Sequence, residues 1–108
     1  MISSVVVSYQ VRPEAMDEHV RLIEDVFTQL HAQQPANVEY KVVRLADGVS
    51  FVHVSTAQTD DGANPLTGLA AFIEFGRDIA SRVATAPSPT AADLVGSYVP
   101  PGGALAPH

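Results

Sequence analysis

The chain contains no cysteine and no tryptophan, and Lys41 is its only lysine among 108 residues. Without cysteine, disulfides, thiolate metal centres and cysteine nucleophiles are excluded. Six basic residues stand against twelve acidic ones. No basic stripe is available to neutralise phosphates, which argues against nucleic acid and anionic membranes as partners. No apolar run approaches the roughly 20 residues of a membrane span. The opening "MISSVVVSYQ" lacks the basic start and long apolar core of a signal peptide. The expectation is a cytoplasmic protein. What is present is a 46% hydrophobic and 17% charged composition, that of a globular chain. The length suits one domain, expected over residues 1–100, followed by a flexible tail over 101–108.

The hydrophobic pattern switches period along the chain. "SSVVVSYQV" (3–11) is β-branched and reads as a first strand. Pro13 fits the first position of a helix, and Glu14, Asp17 and Glu18 suit its positive end. Met16, Val20, Ile23, Phe27 and Leu30 then recur at spacings of four and three, one helical face ending near Gln33, before Pro35. "NVEYKVVRL" (37–45) reads as a second strand, Asp47-Gly48 as a hairpin turn, and 49–56 as a third strand. Asn64 and Pro65 open a second helix, expected over 66–84. On that helix Leu66, Leu69, Phe72, Ile73, Gly76, Ile79, Ala80 and Val83 form the inward side, with Gly76 allowing close approach to the sheet. Phe75 points off the buried side, and Glu74, Asp78, Ser81 and Arg82 face away. "ADLVGSYV" (92–99) reads as strand four, and the tail "PPGGALAPH" lacks periodicity.

Strand, helix, strand, strand, helix, strand with right-handed crossovers gives a ferredoxin-like α+β fold. Its four-stranded antiparallel sheet carries both helices on one face. Strands one and three are apolar on both sides, so the bare face needs a cover, and a second copy of the sheet is the economical one. A homodimer through the open sheet face is therefore expected.

The chain resembles the dimeric α+β barrel superfamily, and within it the antibiotic-biosynthesis-monooxygenase-like domains. The resemblance is carried by "VVVSYQVRPEAMDEHVRLIEDVFTQL" and by the hairpin "NVEYKVVRLADGVSFVHVS", and extends over residues 3–100. It implies a role among cofactor-free monooxygenases of aromatic polyketides and quinols, haem-degrading enzymes, isomerases of small lactones, or members without known activity. Strand three ends "VSTAQTDDG" rather than in aromatics, and the absence of tryptophan leaves the haem-degrading asparagine, tryptophan and histidine set without a counterpart. No family catalytic residue maps onto this sequence.

Candidate chemistry comes from the hairpin. A two-residue turn at Asp47-Gly48 pairs Arg44 with Phe51, Val42 with His53, and Tyr40 with Ser55. One face then shows Tyr40, Val42, Arg44, Phe51, His53 and Ser55, the better set for lining a pocket. His53 is the candidate catalytic acid or base, since imidazole titrates near neutrality. The competing reading is a neutral core histidine bonded to a neighbouring hydroxyl or carbonyl, or a group in the dimer seam. Tyr40, Phe51, Ser55 and, from the flank of helix one, His19 are the candidate substrate-binding residues. His19 and His53 border one cavity only if this face looks toward the helices, which the sequence leaves open. Tyr9, Tyr40 and Tyr98 are hydroxyl donors for a phenolic ligand or ordinary strand tyrosines. His31 reads as solvated and His108 as tail. His19 and His31 stand three helical turns apart, not one, so no metal site is expected. Asp60-Asp61-Gly62 lacks the spacing and closing glutamate of a calcium loop. No cofactor is expected. Two functions remain: a cofactor-free monooxygenase or isomerase acting on a small aromatic or cyclic metabolite, or a non-catalytic dimeric binding module.

Overall fold

A computed structural model describes residues 2–60 and 64–101. Part of the Asp60-Asp61-Gly62 loop and the tail beyond 101, with His108, lie outside the described residues. Strand β1 (Ile2–Gln10) runs through a short 3-10 turn at Pro13–Ala15 into helix α1 (Met16–Gln33). Gln34 takes a left-handed conformation and its N–H closes on the Leu30 carbonyl at 2.7 Å, which ends the helix. Strands β2 (Val38–Arg44) and β3 (Ser50–Gln58) form the hairpin. Helices α2 (Ala70–Gly76) and α3 (Ile79–Arg82) follow, then strand β4 (Ser88–Ala92). The sheet is antiparallel in the order β2-β3-β1-β4, the α+β ferredoxin-like arrangement. Among the described residues no helix is long and apolar enough to cross a membrane.

The hairpin register is the one expected, with Arg44 opposite Phe51, Val42 opposite His53 and Tyr40 opposite Ser55. The loop is wider than a two-residue turn. Leu45 N–H bonds the Ser50 carbonyl at 2.8 Å, and the Asp47 carboxylate accepts from the Val49 and Ser50 N–H groups at 2.9 and 2.8 Å. Those bonds hold the Asp47 carboxyl below its usual range, the Ser50 hydroxyl contributing most. Gly48 takes the left-handed conformation at φ 81° that closes the loop.

The second helix departs from expectation. Instead of one helix over 66–84, Pro65–Gly68 form a 3-10 turn, and α2 and α3 are separate. Asn64 does cap the start, its side chain accepting from the Leu66 N–H at 2.9 Å. The chain is extended at Leu69 and at Arg77, and Asp78 is left-handed at φ 59°. Each interruption slips the helical phase, so one continuous wheel assigns the faces wrongly. Phe75 is buried at 6% exposure, not turned out, whereas Ile73 is 53% exposed. Arg82 is buried at 3%, not facing away. The reason is long range: the segment after α3 bonds back to the end of β1, with Arg12 N–H to the Arg82 carbonyl at 2.9 Å and Ala84 N–H to the Gln10 carbonyl at 2.7 Å. A Cβ on Gly76 would meet nothing within 4 Å, so this glycine ends α2 and makes no close approach to the sheet.

Strand four also lies earlier than expected, at Ser88–Ala92 rather than 92–99. Pro89 is tolerated there because β4 is an edge strand, paired only with β1. Leu94, Val95, Tyr98 and Val99 follow in irregular, exposed backbone.

The pleat divides the sheet. Toward the helices point Tyr9, Phe51, His53, Ser55 and Ala57, all buried. They meet Leu22, Ile23 and Val26 of α1 and Phe75 of α2 in the core. The other face shows Val6, Val43, Val52 and Val54, with Val43 and Val54 exposed at 49% and 37%.

Candidate functional site

His53 faces the helices. The pleat places Tyr9 of β1, Tyr40 of β2 and His53 of β3 on one sheet face, and α1 lowers His19 onto Tyr9 from above. Tyr9 Oη lies 2.7 Å from His19 Nε2 and 2.5 Å from His53 Nε2. Tyr40 Oη lies 2.6 Å from His53 Nδ1. At the far end, Arg82 Nε donates to His19 Nδ1 at 3.2 Å. Arg82, His19, Tyr9, His53 and Tyr40 thus form one continuous polar chain through the core.

Arg82 is held without a carboxylate among the described residues. Its NH1 donates to the Arg77 carbonyl at 3.1 Å, its NH2 donates to the Phe75 carbonyl, and its guanidinium carbon stands 5.4 Å from the centre of the Phe75 ring. The break between α2 and α3 supplies those carbonyls, because Phe75 and Arg77 sit where helical bonding stops.

Burial sets the protonation states. Desolvation, reinforced by the Arg82 charge, lowers His19 to about 4. Desolvation, with His19 nearby, lowers His53 to about 4. The phenols of Tyr9 and Tyr40 are pushed above their ordinary range, in both cases first by burial. At neutral pH the chain therefore consists of two neutral imidazoles and two neutral phenols beside one fixed cation.

This chain borders a cavity of about 330 Å³. Tyr9, Tyr40, His53 and Ser55 form its polar side, joined by Asn64 and Thr67, and Val5, Val7, Leu66, Phe72, Phe75 and Ile79 line most of the rest. Among the described residues no side chain on its wall carries a charge at neutral pH. Asn64 Nδ2 donates to Ser55 Oγ at 3.4 Å, linking the loop before α2 to β3.

Of the candidates from the sequence, His53, Tyr40 and Ser55 reach the cavity wall. His19 and Phe51 stand behind it. His19 is fully buried, with its ring centre 5.1 Å from that of Phe51, and Phe51 stacks on Tyr9 at 5.9 Å. His19 and His53 are joined through Tyr9, whose place in the site follows from its pairing with Phe51 across β1 and β3. Arg82 and Phe75 are the members that sequence reasoning placed elsewhere, because the helix breaks that turn them inward leave no periodic trace. His31 is exposed at the end of α1. Among the described residues no group of three potential ligands is placed to hold a metal ion.

No protein-family model and no curated protein matches the chain. Solved structures do. The protein Rv0793 from Mycobacterium tuberculosis aligns with a TM-score of 0.73 at 14% identity, over 90% of this chain and 98% of its own. An antibiotic-biosynthesis-monooxygenase-like protein from Nitrosomonas europaea aligns with a TM-score of 0.72 at 15% identity, over 87% and 90%. Another from Caulobacter crescentus aligns with a TM-score of 0.71 at 20% identity, over 88% and 91%. The fold of this chain is that of the antibiotic-biosynthesis-monooxygenase-like α+β barrel proteins.

Proposed function

We propose, on the premise of that shared fold, that the chain is a dimeric cytoplasmic protein that binds a small uncharged ring compound in the Tyr40 cavity and transforms it without a cofactor. The observation that carries the reading is the combination of an apolar cavity of about 330 Å³ with a single polar side that joins Tyr40, His53 and Ser55. An apolar hollow with a few convergent polar groups is the usual form of a small-molecule site. Its volume suits a one- or two-ring molecule, and its uncharged wall disfavours a carboxylate or phosphate ligand.

Cofactor-free oxygenation and isomerisation of ring compounds both pass through a state with negative charge gathered on a ring oxygen. A buried donor aimed at that oxygen stabilises the state. Tyr40 Oη is the atom that meets the ligand, and His53 supports it from Nδ1. His53 thus acts through Tyr40 rather than by direct contact of a free ring nitrogen.

The test is a panel of small quinols, ring ketones and lactones, followed by oxygen uptake and product NMR for the wild type, Tyr40→Phe and His53→Gln. Turnover that drops at least tenfold in both variants supports the reading. Turnover unchanged in Tyr40→Phe rejects it.

The second reading, a non-catalytic binding module, is favoured by one observation: both ring nitrogens of His53 are already engaged by tyrosines. It predicts saturable binding of a panel member with no product. In either case the open sheet face, with Val6, Val43, Val52 and Val54, supports pairing with a second copy.

A further inference from the structure

We infer that Arg82 fixes the direction of the buried hydrogen-bond chain, so that Tyr40 presents its hydroxyl proton to the cavity and selects ligands that bring a hydrogen-bond acceptor.

The direction follows from counting protons. A guanidinium only donates. Arg82 Nε–H at 3.2 Å therefore requires a lone pair on His19 Nδ1. A neutral imidazole has one N–H, so that of His19 is on Nε2 and donates to Tyr9 Oη at 2.7 Å. Tyr9 has one hydrogen, and it goes to His53 Nε2 at 2.5 Å. The proton of His53 is then on Nδ1 and donates to Tyr40 Oη at 2.6 Å. Reversing any single link would set two donors or two lone pairs against each other in a dry core, at a cost comparable to a lost buried hydrogen bond.

Tyr40 keeps a proton for which no acceptor exists among the described residues, and it borders the cavity. Ser55, its cross-strand partner, receives the Asn64 amide proton at 3.4 Å and keeps its own hydroxyl hydrogen. The cavity thus offers O–H donors from an otherwise largely apolar wall. A ring ketone, quinone or lactone supplies the matching carbonyl oxygen. A phenol or quinol of equal size can also accept from Tyr40, but through a weaker acceptor oxygen and with its own hydroxyl proton carried into a largely apolar wall. Arg82 touches no ligand and acts as a positioning residue through His19, Tyr9 and His53.

The ligand preference rests on the proposed reading of the cavity as a ring site; the proton assignment does not. The first measurement is therefore made on the ligand-free protein: ring-nitrogen NMR of uniformly 15N-labelled wild type at pH 7. The expected result is His19 protonated at Nε2 and His53 at Nδ1. His53 protonated at Nε2, or either ring as imidazolium, overturns the assignment. In Arg82→Gln the His53 signals are expected to shift to a mixture of tautomers. Should that variant not fold, Tyr9→Phe cuts the chain while leaving the carbonyl contacts of Arg82. It is expected to leave His19 at Nε2 and to mix the tautomers of His53. An unmixed Nδ1–H His53 in Tyr9→Phe shows that the chain does not set it.

The second measurement compares coumarin, a lactone, with 2-naphthol, a phenol of similar size. Coumarin is expected to bind about tenfold more tightly, the scale of one hydrogen bond, and Tyr40→Phe to erase the difference. Equal or tighter binding of 2-naphthol overturns the selectivity. Should neither bind while both tautomers are as expected, the ring-ligand reading fails, the selectivity fails with it, and the directed chain stands.

Discussion

Tyr40 and His53, diagonal neighbours on adjacent strands, meet with Tyr40 Oη 2.6 Å from His53 Nδ1. With Tyr9 Oη at the other ring nitrogen, the imidazole is held at both ends by uncharged phenols. A histidine so placed gains nothing from becoming charged, because no acceptor stands ready for a second N–H.

Acid stability follows from that arrangement. His19 and His53 are lowered to about 4 in the folded protein, whereas an unfolded histidine titrates near 6.5. Between those values the unfolded chain binds more protons, so stability falls as the pH falls. It is fully present above about 6.5 and lost progressively toward pH 4. Each histidine accounts for roughly 1–3 kcal/mol at most, and the two are coupled through Tyr9. Urea midpoints of the wild type are expected to drop between pH 6.5 and 4.5, and those of His53→Gln to drop less. A wild-type profile flat across that range contradicts the placement of both rings.

The packing of Phe75 predicts a large mutational cost. Its ring is 6% exposed, with centres 5.1 and 5.5 Å from those of His19 and His53, and Arg82 lies over it. Phe75→Ala should destabilise the fold by about 3–5 kcal/mol, the usual range for emptying a buried phenylalanine site. The continuous-helix assignment, with Phe75 on the surface, predicts a change within about 0.5 kcal/mol. Chemical denaturation separates the two.

Filling the cavity tests its role without touching the polar chain. Val5 lies on the wall, half-buried and opposite Ser55. Val5→Phe places a ring in a space of about 330 Å³ and should abolish ring-ligand binding while keeping the far-ultraviolet spectrum. Unchanged binding of coumarin in Val5→Phe would move the ligand elsewhere on the molecule.

In the proposed dimer the open sheet face would form the interface. Val54 is 37% exposed and pairs with Val6 and Lys41 across the strands. Glutamate at this position has Lys41 beside it in a lone subunit but would be buried as a charge in a paired sheet. Val54→Glu is expected to sediment as a folded monomer where the wild type sediments as a dimer. A wild-type monomer at micromolar concentration removes the dimer from the proposal.

The hairpin register was legible because a strand alternates with period two and the Asp47 loop fixes the pairing. That alternation alone put Tyr40, Phe51, His53 and Ser55 on one face. The first helix was legible for the same kind of reason, a sustained apolar period from Met16 to Leu30. Strand four was misplaced because the apolar pattern of 92–99 reads as a strand, whereas Ser88–Ala92 is polar and holds a proline that only an edge position accepts.

What the sequence by itself determined about this protein is therefore its first strand and helix, its hairpin pairing and the residue types available on the His53 face. Local periodicity encodes these, and each needs only neighbouring residues. Which way that face looks, and what meets it there, was decided by tertiary structure. Arg82 reaches His19 only because two breaks rotate the second helical segment and the chain after it bonds back to the end of β1. Those bonds join residues about seventy positions apart, as in Arg12 with Arg82, and no local pattern records them. The polarity of the site depends on that closure, because the fixed charge of Arg82 arrives by it.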